Sequence, residues 1–317
     1  MNIAVVGSGY WGKNLVRNFF ELNSLYAVCE LDKSKWAELK EKYGDIKIFA
    51  TFDEMLADKN VQGVVLATPA PTHFELAKKS IETGLPTFVE KPLTLSLEHS
   101  ETLTKLAEEN KVPLMVGHVL EYHPAIIKMK ELFNNDEIGK LKHIRCTRVN
   151  LGKIRAQENI WWSFAPHDLS IIFTFLEGQP EKVTASSFKP IQNGIADTVY
   201  ADLLFNNGAS AHIHVSWLEP VKLHQTTLIG EKGMIVFTDS AKENKLMLYK
   251  YSFDSNEPSL NKTEEISVDY PEAQPLKAEC QHFIDSIANK TNPKTDGKSA
   301  CKIIAVIEEV DKQLKVF

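Results

Sequence analysis

The chain has 317 residues, 43% hydrophobic and 25% charged, with a formal net charge of −6. That length suits two domains or one large α/β domain with cores of ordinary size. An acidic balance without a Lys/Arg block argues against a nucleic-acid partner, and no apolar run reaches the roughly 18 residues of a membrane span.

In chain order, short strands apolar on both faces are predicted at 2–6, 25–29, 47–49, 62–67, 86–90 and 113–117. Helices are predicted between them at 12–23, 33–43, 53–57, 72–84 and 96–110. This alternation implies a buried parallel sheet with helices on each side, a doubly wound Rossmann domain over residues 1–120. Residues 121–317 read as an α+β domain. A helix over 121–134 leads into strands at 142–150, 181–189, 197–206, 209–217, 222–229, 233–238 and 244–251. Asn206-Asn207-Gly208 is a hairpin signal, so this second sheet is predicted to be large and mostly antiparallel. One helix near 165–178 interrupts the strands, and 252–272 reads as a polar surface loop with at most a short strand. Helices at 275–289 and 298–314 close the chain, with a return toward the first domain expected at this end.

The most informative stretch is Ile3-Ala-Val-Val-Gly-Ser-Gly-Tyr-Trp-Gly12, a strand running into a glycine turn and a helix start. Gly7 permits the turn, Gly9 lets backbone approach a pyrophosphate, and Gly12 lets the helix pack close to the strand. Tyr10 and Trp11 belong to the same loop, and the phosphates would sit on free N–H groups at the helix start. Glu30 ends the second strand 18 residues after Gly12, close to the ~20 expected of the acid that binds the adenosine ribose. A carboxylate there disfavours a 2′-phosphate, so NAD is expected over NADP.

Further candidates fall at the ends of later strands. Thr68, Pro69 and His73 follow the fourth strand, where an open α/β sheet binds ligands. Glu90-Lys91-Pro92 ends the fifth, with an ammonium placed to hold a substrate hydroxyl and ease its deprotonation. Gly117-His118 and Glu121-Tyr122-His123-Pro124 end the sixth; Tyr122 could face the cleft, and a packed helix entry fits equally. From Arg155 to Asp168 the chain offers an anion fork (Arg155), an amide (Asn159), an aromatic wall (Trp161) and an acid/base group (His167). Pro166 reads as the first turn of a helix, which would place His167 and Asp168 near its N-terminus. The two roles of base and polarising group could be exchanged between His167 and Lys91. Only four of the 36 basic residues are Arg (Arg17, Arg145, Arg148, Arg155), which slightly favours sites needing a planar two-pronged donor. His212 and His214 share a strand face, but two histidines without a third ligand do not make a metal site. Cys29, Cys146, Cys280 and Cys301 stand apart without a C-x-x-C, so reduced thiols are expected. With no room for a signal peptide before the strand at Ile3, a cytoplasmic location is expected.

On these residues the chain resembles the Gfo/Idh/MocA oxidoreductases along essentially its whole length. The marks are the glycine motif, Thr68-Pro69 with His73, and above all Glu90-Lys91-Pro92. Gly117-His118, Trp161 to Asp168, Ser216-Trp217, Gly230-Glu-Lys-Gly233 and Pro275 to Phe283 resemble the family's nucleotide-sugar branch. The resemblance implies oxidation of the 3-hydroxyl of a UDP-amino sugar, UDP-N-acetylglucosamine, by NAD. A separate aminotransferase would use the 3-keto product in making the bacterial cell envelope. It also implies Lys91 and His167 as catalytic residues, with Lys91, Tyr122, Arg155, Asn159 and His167 toward the substrate. Trp161 and Glu90 join the cofactor's surroundings, and a homodimer or homotetramer forms through the open sheet face. One departure is Ser163, where relatives often carry Asp four residues before the histidine. The same motifs fit a dehydrogenase of inositol, a free hexose or UDP-N-acetylglucosaminuronate, and a dinucleotide-sensing regulator without catalysis.

Overall fold

The structure, a computed structural model, describes residues 1–152, 154–155, 158–192, 194–254 and 259–314. The chain divides into two compact units: Met1–Tyr122 with Gln274–Ile304, and His123–Ala273 with the chain from Ala305 onward.

In the first unit β1 (Ile3–Val6), α1 (Gly12–Glu21), β2 (Leu25–Cys29), α2 (Trp36–Tyr43), β3 (Lys47–Phe49), α3 (Phe52–Leu56), β4 (Gly63–Leu66), α4 (His73–Glu82), β5 (Thr87–Val89), α5 (Leu97–Asn110) and β6 (Leu114–Val116) alternate. The strands are all parallel, in the order β3-β2-β1-β4-β5-β6. The order reverses beside β1, which puts the crevice of a dinucleotide fold at the ends of β1 and β4. Alternate side chains fill two cores, because successive residues of a strand point to opposite faces. Ala4, Val6, Val64, Leu66 and Val89 pack with Ala77, Ile81 and Leu103. Ile3, Val5, Val28, Val65 and Phe88 pack with Leu15 and Phe19, and with Cys280 and Phe283 of the later helix Pro275–Asn289.

The second unit contains α6 (Pro124–Asn134), β7 (Leu141–Leu151), α7 (Ile160–Phe175), β8 (Lys182–Phe188), β9 (Thr198–Leu204), β10 (Ser210–Ser216), β11 (Leu218–Gly230), β12 (Gly233–Thr238), β13 (Leu246–Asp254) and β14 (Ser259–Ser267). These strands form one sheet in the order β14-β13-β12-β11-β7-β10-β9-β8, with only the β7/β10 pair parallel. Gly208, at φ +80°, makes the turn between β9 and β10. The helices α8 (Pro275–Asn289) and α9 (Gly297–Leu314) follow. Among the described residues no helix is long and apolar enough to cross a membrane.

Two sequence expectations are corrected. Residues 259–267 form a nine-residue strand, longer than the short strand expected within a loop. It lies at the sheet edge against β13 alone, so it needs no apolar face; its Lys262, Glu264 and Glu265 suit an exposed edge and leave no periodicity to read. The helix expected near 165–178 begins at Ile160, and Pro166 lies inside it. Pro166 forfeits one helical hydrogen bond, but the apolar residues buried on both sides of it (Ile160, Trp161, Ala165, Leu169, Ile172) keep the helix continuous. His167 is therefore in mid-helix, not at a helix N-terminus.

Candidate active site

The glycine loop follows from steric limits. Gly7 has φ +88°, and a Cβ on Gly12 would stand 2.1 Å from the Gly7 carbonyl oxygen. Around Gly9 nothing lies within 4 Å of an added Cβ, so the loop leaves open space at the start of α1 where phosphates can reach free N–H groups. This is the cradle a bound dinucleotide needs. Tyr10 is 89% exposed and Trp11 40% exposed on its rim.

Glu30 stands at the end of β2, and its carboxylate accepts from Ser8 N–H (3.0 Å), Ser8 Oγ (2.5 Å), Asp32 N–H (3.0 Å) and Lys35 Nζ (3.3 Å). Burial works to raise its carboxyl, but the Ser8, Asp32 and Lys35 donors hold it below the ordinary value. The acid expected at the ribose is thus ionised and fixed beside the glycine loop.

At the end of β4, Thr68 and Pro69 lead through the short turn Ala70–Thr72 into α4. His73 is buried, with Nδ1 2.8 Å from the Pro92 carbonyl oxygen and Nε2 2.9 Å from that of Thr68. The neutral ring donates to one of these carbonyls and lies against the other, so His73 braces the loops after β4 and β5.

Glu90 and Lys91 follow β5 directly. Glu90 Oε1 accepts from the indole Nε1 of Trp11 at 2.6 Å, and Oε2 from Lys91 N–H at 3.3 Å. Burial pushes the Glu90 carboxyl up, against the Trp11 hydrogen bond and the Lys91 charge. A Cβ on Gly117 would meet Glu90 Oε2 at 2.9 Å, which explains glycine there. His118 is 2% exposed, and neither ring nitrogen has a hydrogen-bond partner among the described residues. Burial, and then the Lys91 ammonium, push its imidazolium down to about 3, so it is neutral near pH 7. The ends of β1, β2, β5 and β6 thus gather the open glycine loop, the ionised Glu30, Lys91 and the neutral His118 imidazole at one edge of one sheet. Tyr122 does not join them: it is buried, its hydroxyl lies 3.2 Å from Thr295 Oγ1, and Lys294 Nζ sits over its ring.

In the second unit, Asn159 caps α7 by accepting from Trp162 N–H at 3.1 Å and donates from Nδ2 to Asp311 Oδ1 at 2.9 Å. Its amide is engaged in holding the helix start. Trp161 is fully buried, with no hydrogen-bond partner for its Nε1 among the described residues. Arg155 is exposed and pairs with Glu158, three residues on. His167 is half-buried, and the next residue, Asp168, takes a two-pronged pair from Arg148 of β7: Nε to Oδ2 and Nη2 to Oδ1, both 2.9 Å. Burial pushes the Asp168 carboxyl up while Arg148 pulls against it. Asp168 pins α7 to the sheet and with it the backbone that carries His167. Trp217 donates to Asp197 Oδ1 at 2.6 Å, a second buried anchor.

Sequence reading assigned no role to Ser8 or to the acid Glu279, while Arg148 takes the two-pronged role that the scarcity of Arg favours. Glu279 was legible in principle, since it lies one helical turn before the buried Phe283.

Comparison with known proteins gives two family matches. A profile described as an oxidoreductase family with an NAD-binding Rossmann fold covers residues 1–118, and one described as the Gfo/Idh/MocA C-terminal domain covers 126–236. The chain is 24% identical over 320 residues to UDP-N-acetylglucosamine 3-dehydrogenase from Acidithiobacillus ferrooxidans, covering 100% of this chain and 98% of that one. It is 27% identical over 261 residues to myo-inositol 2-dehydrogenase from Thermotoga maritima, with 78% of each chain covered. The solved structure of the Acidithiobacillus ferrooxidans enzyme superposes with a TM-score of 0.86 at 22% identity over 100% and 98% of the two chains. Levoglucosan dehydrogenase, solved with NADH and levoglucosan, superposes at 0.83 with 18% identity over 99% and 97%. With both of its domains matched in order, the chain belongs to the Gfo/Idh/MocA family of oxidoreductases.

Proposed function

We propose that this oxidoreductase uses NAD to oxidise the 3-hydroxyl of UDP-N-acetylglucosamine to the 3-keto sugar. The observation that carries the reading is Lys91 at the end of β5, on the sheet edge that also bears the open glycine cradle and the ionised Glu30. Gly7, Gly9 and Gly12 take the pyrophosphate, with Tyr10 and Trp11 at the rim. Glu30 accepts from the ribose hydroxyls and repels a 2′-phosphate, which supports NAD over NADP. When bound, NAD supplies a hydride acceptor.

The chain's own groups handle the proton. Lys91 donates a hydrogen bond to the substrate hydroxyl and stabilises the oxygen as its charge grows. His167 takes the hydroxyl proton while the C–H bond gives its electron pair away as hydride, leaving a carbonyl. His118, neutral and without a hydrogen-bond partner among the described residues, is a further polar contact for the sugar. Arg155 serves as a diphosphate fork once the substrate competes with Glu158.

The choice of a UDP-amino sugar rests on the full-length similarity to the Acidithiobacillus ferrooxidans enzyme. Similarity to inositol dehydrogenases supports a polyol as the second reading. We also infer a cytoplasmic homodimer or homotetramer, which would cover Phe188 (60% exposed) and Leu204 (43% exposed) on the large sheet. A 3-keto sugar made this way would pass to an aminotransferase.

A panel of UDP-sugars, inositols and free hexoses, followed by NADH absorbance and product analysis, tests the reading. Turnover of UDP-N-acetylglucosamine supports it, and turnover of inositols alone favours the second. Lys91→Ala and His167→Ala should each lower kcat by about two orders of magnitude or more. Near-wild-type turnover in either removes that residue from the mechanism.

A further inference from the structure

Glu279 is fully buried on α8, and neither carboxyl oxygen has a hydrogen-bond partner among the described residues. An isolated ionised carboxylate in such a place costs several kcal/mol or more. Its surroundings are negative: the charges that bear on it are those of Glu90 and Glu121.

The packing brings Glu279 and Glu90 together. Phe283 of α8 meets Phe88 of β5 edge-on, with ring centroids 5.7 Å apart. Glu279 is one helical turn back from Phe283, roughly 6 Å along the axis, on the same helix face. Glu90 is two residues on from Phe88, about 6.6 Å along the strand direction and on the same side. Ile287, one turn beyond Phe283, lies against Gly63 where β4 begins, so α8 runs against the parallel strands and Glu279 lies toward their C-terminal ends, as Glu90 does.

The two acids differ in their partners. Glu90 has two donors, Trp11 Nε1 and Lys91 N–H, with the Lys91 charge alongside. Among the described residues no cation donates a hydrogen bond to Glu279. Glu121 is itself bonded through its carbonyl oxygen to Lys294 Nζ at 2.5 Å, with its carboxylate 3.9 Å from that ammonium. Tyr122 is turned to Thr295, and Cys280 is a buried thiol pushed up by burial and by the same two acids. The charged groups of α1 are engaged elsewhere: Lys13 lies over the Tyr10 ring, Arg17 pairs with Glu21 at 3.9 Å, and Glu21 also pairs with Lys277 of α8 at 3.1 Å.

We propose that Glu279 and Glu90 act as one buried acid pair holding a single proton, resident on Glu279, and that Glu279 is a positioning residue for Lys91. The pair leaves one negative charge, on Glu90, beside the lysine. Loss of the shared proton at alkaline pH places a second negative charge there and holds the lysine more firmly as an ammonium. The link to catalysis rests on Lys91 serving the oxidation proposed above; the shared proton does not.

The test is infrared spectroscopy of the full chain at pH 8, paired with pH profiles of kcat/KM read by NADH formation, for the wild type and Glu279→Gln. The wild type should show the carbonyl stretch of a buried neutral carboxylic acid, absent in the variant. The alkaline limbs of the two profiles should differ by about one pH unit or more, a tenfold effect. No neutral-acid band in the wild type overturns the pair, as does a band that persists in Glu279→Gln. If the variant does not fold, the pH titration of the wild-type band decides: a midpoint below pH 6 overturns the pair. Superimposable rate profiles overturn the positioning role. Absence of sugar oxidation by both proteins defeats the proposed function and the positioning role, while the infrared result still decides the shared proton.

Discussion

Trp11 of the glycine loop donates its indole Nε1–H to Glu90 Oε1 at 2.6 Å, joining the phosphate cradle to the strand end that carries Lys91. A hydrogen bond to a charged acceptor contributes about 1.5–3 kcal/mol. Trp11→Phe keeps an aromatic ring and deletes the donor. If the bond holds the loop ready for the cofactor, NADH affinity by fluorescence titration should fall by about tenfold. An unchanged Kd would show that the loop needs no such tie.

Glu30 sets the cofactor prediction. Its carboxylate is held ionised by Ser8, Asp32 and Lys35. Glu30→Ser removes the negative charge and leaves Lys35 nearby, so the ratio of kcat/KM for NAD over NADP should drop by tenfold or more. Tighter binding of NADP than NAD by the unmodified protein contradicts the assignment.

The Arg148–Asp168 pair predicts a stability pattern. Removing one member of a buried pair leaves an uncompensated charge and costs about 3–5 kcal/mol. Arg148→Met should lower the urea midpoint strongly. Arg148→Met with Asp168→Leu should recover much of the loss, since both charges are then gone. A double variant as unstable as the single would mean the pair does more than neutralise itself.

His118 gives a pH prediction with a definite sign. Its folded-state value is depressed to about 3, against an ordinary value near 6.5. Between those values the unfolded chain binds a proton that the folded chain does not, so stability falls as pH drops below about 6.5. By pH 5 the loss from this one group is about 2 kcal/mol. Urea titrations at pH 7 and pH 5 should show it, and His118→Asn should lose about that much less. Equal pH dependence in both proteins would contradict the assignment.

The fold was largely legible because its signals are local. The strands of the first unit are short, apolar on both faces and closed by turns, and Asn206-Asn207-Gly208 carries its own hairpin geometry. The glycine loop and Lys91 were legible for the same reason. What stayed hidden depends on partners distant in sequence. Asn159 reads as a free amide until Trp162 N–H and Asp311 claim it. His73 gives no sign in the sequence that its ring nitrogens lie 2.8 and 2.9 Å from the carbonyls of Pro92 and Thr68. Pro166 reads as a helix start because its cost is local, whereas the burial that outweighs it is tertiary. Arg148 and Asp168 lie 20 residues apart, and no spacing rule announces their pairing.

The central claim is that hydride leaves carbon 3 of a UDP-linked amino sugar for NAD. The direct measurement uses UDP-N-acetylglucosamine deuterated at carbon 3, with mass analysis of the NADH formed. The account requires one deuterium in the NADH and a 3-keto sugar product, both lost in Lys91→Ala and His167→Ala. NADH without deuterium, or reduction only with sugars lacking the UDP group, would contradict it.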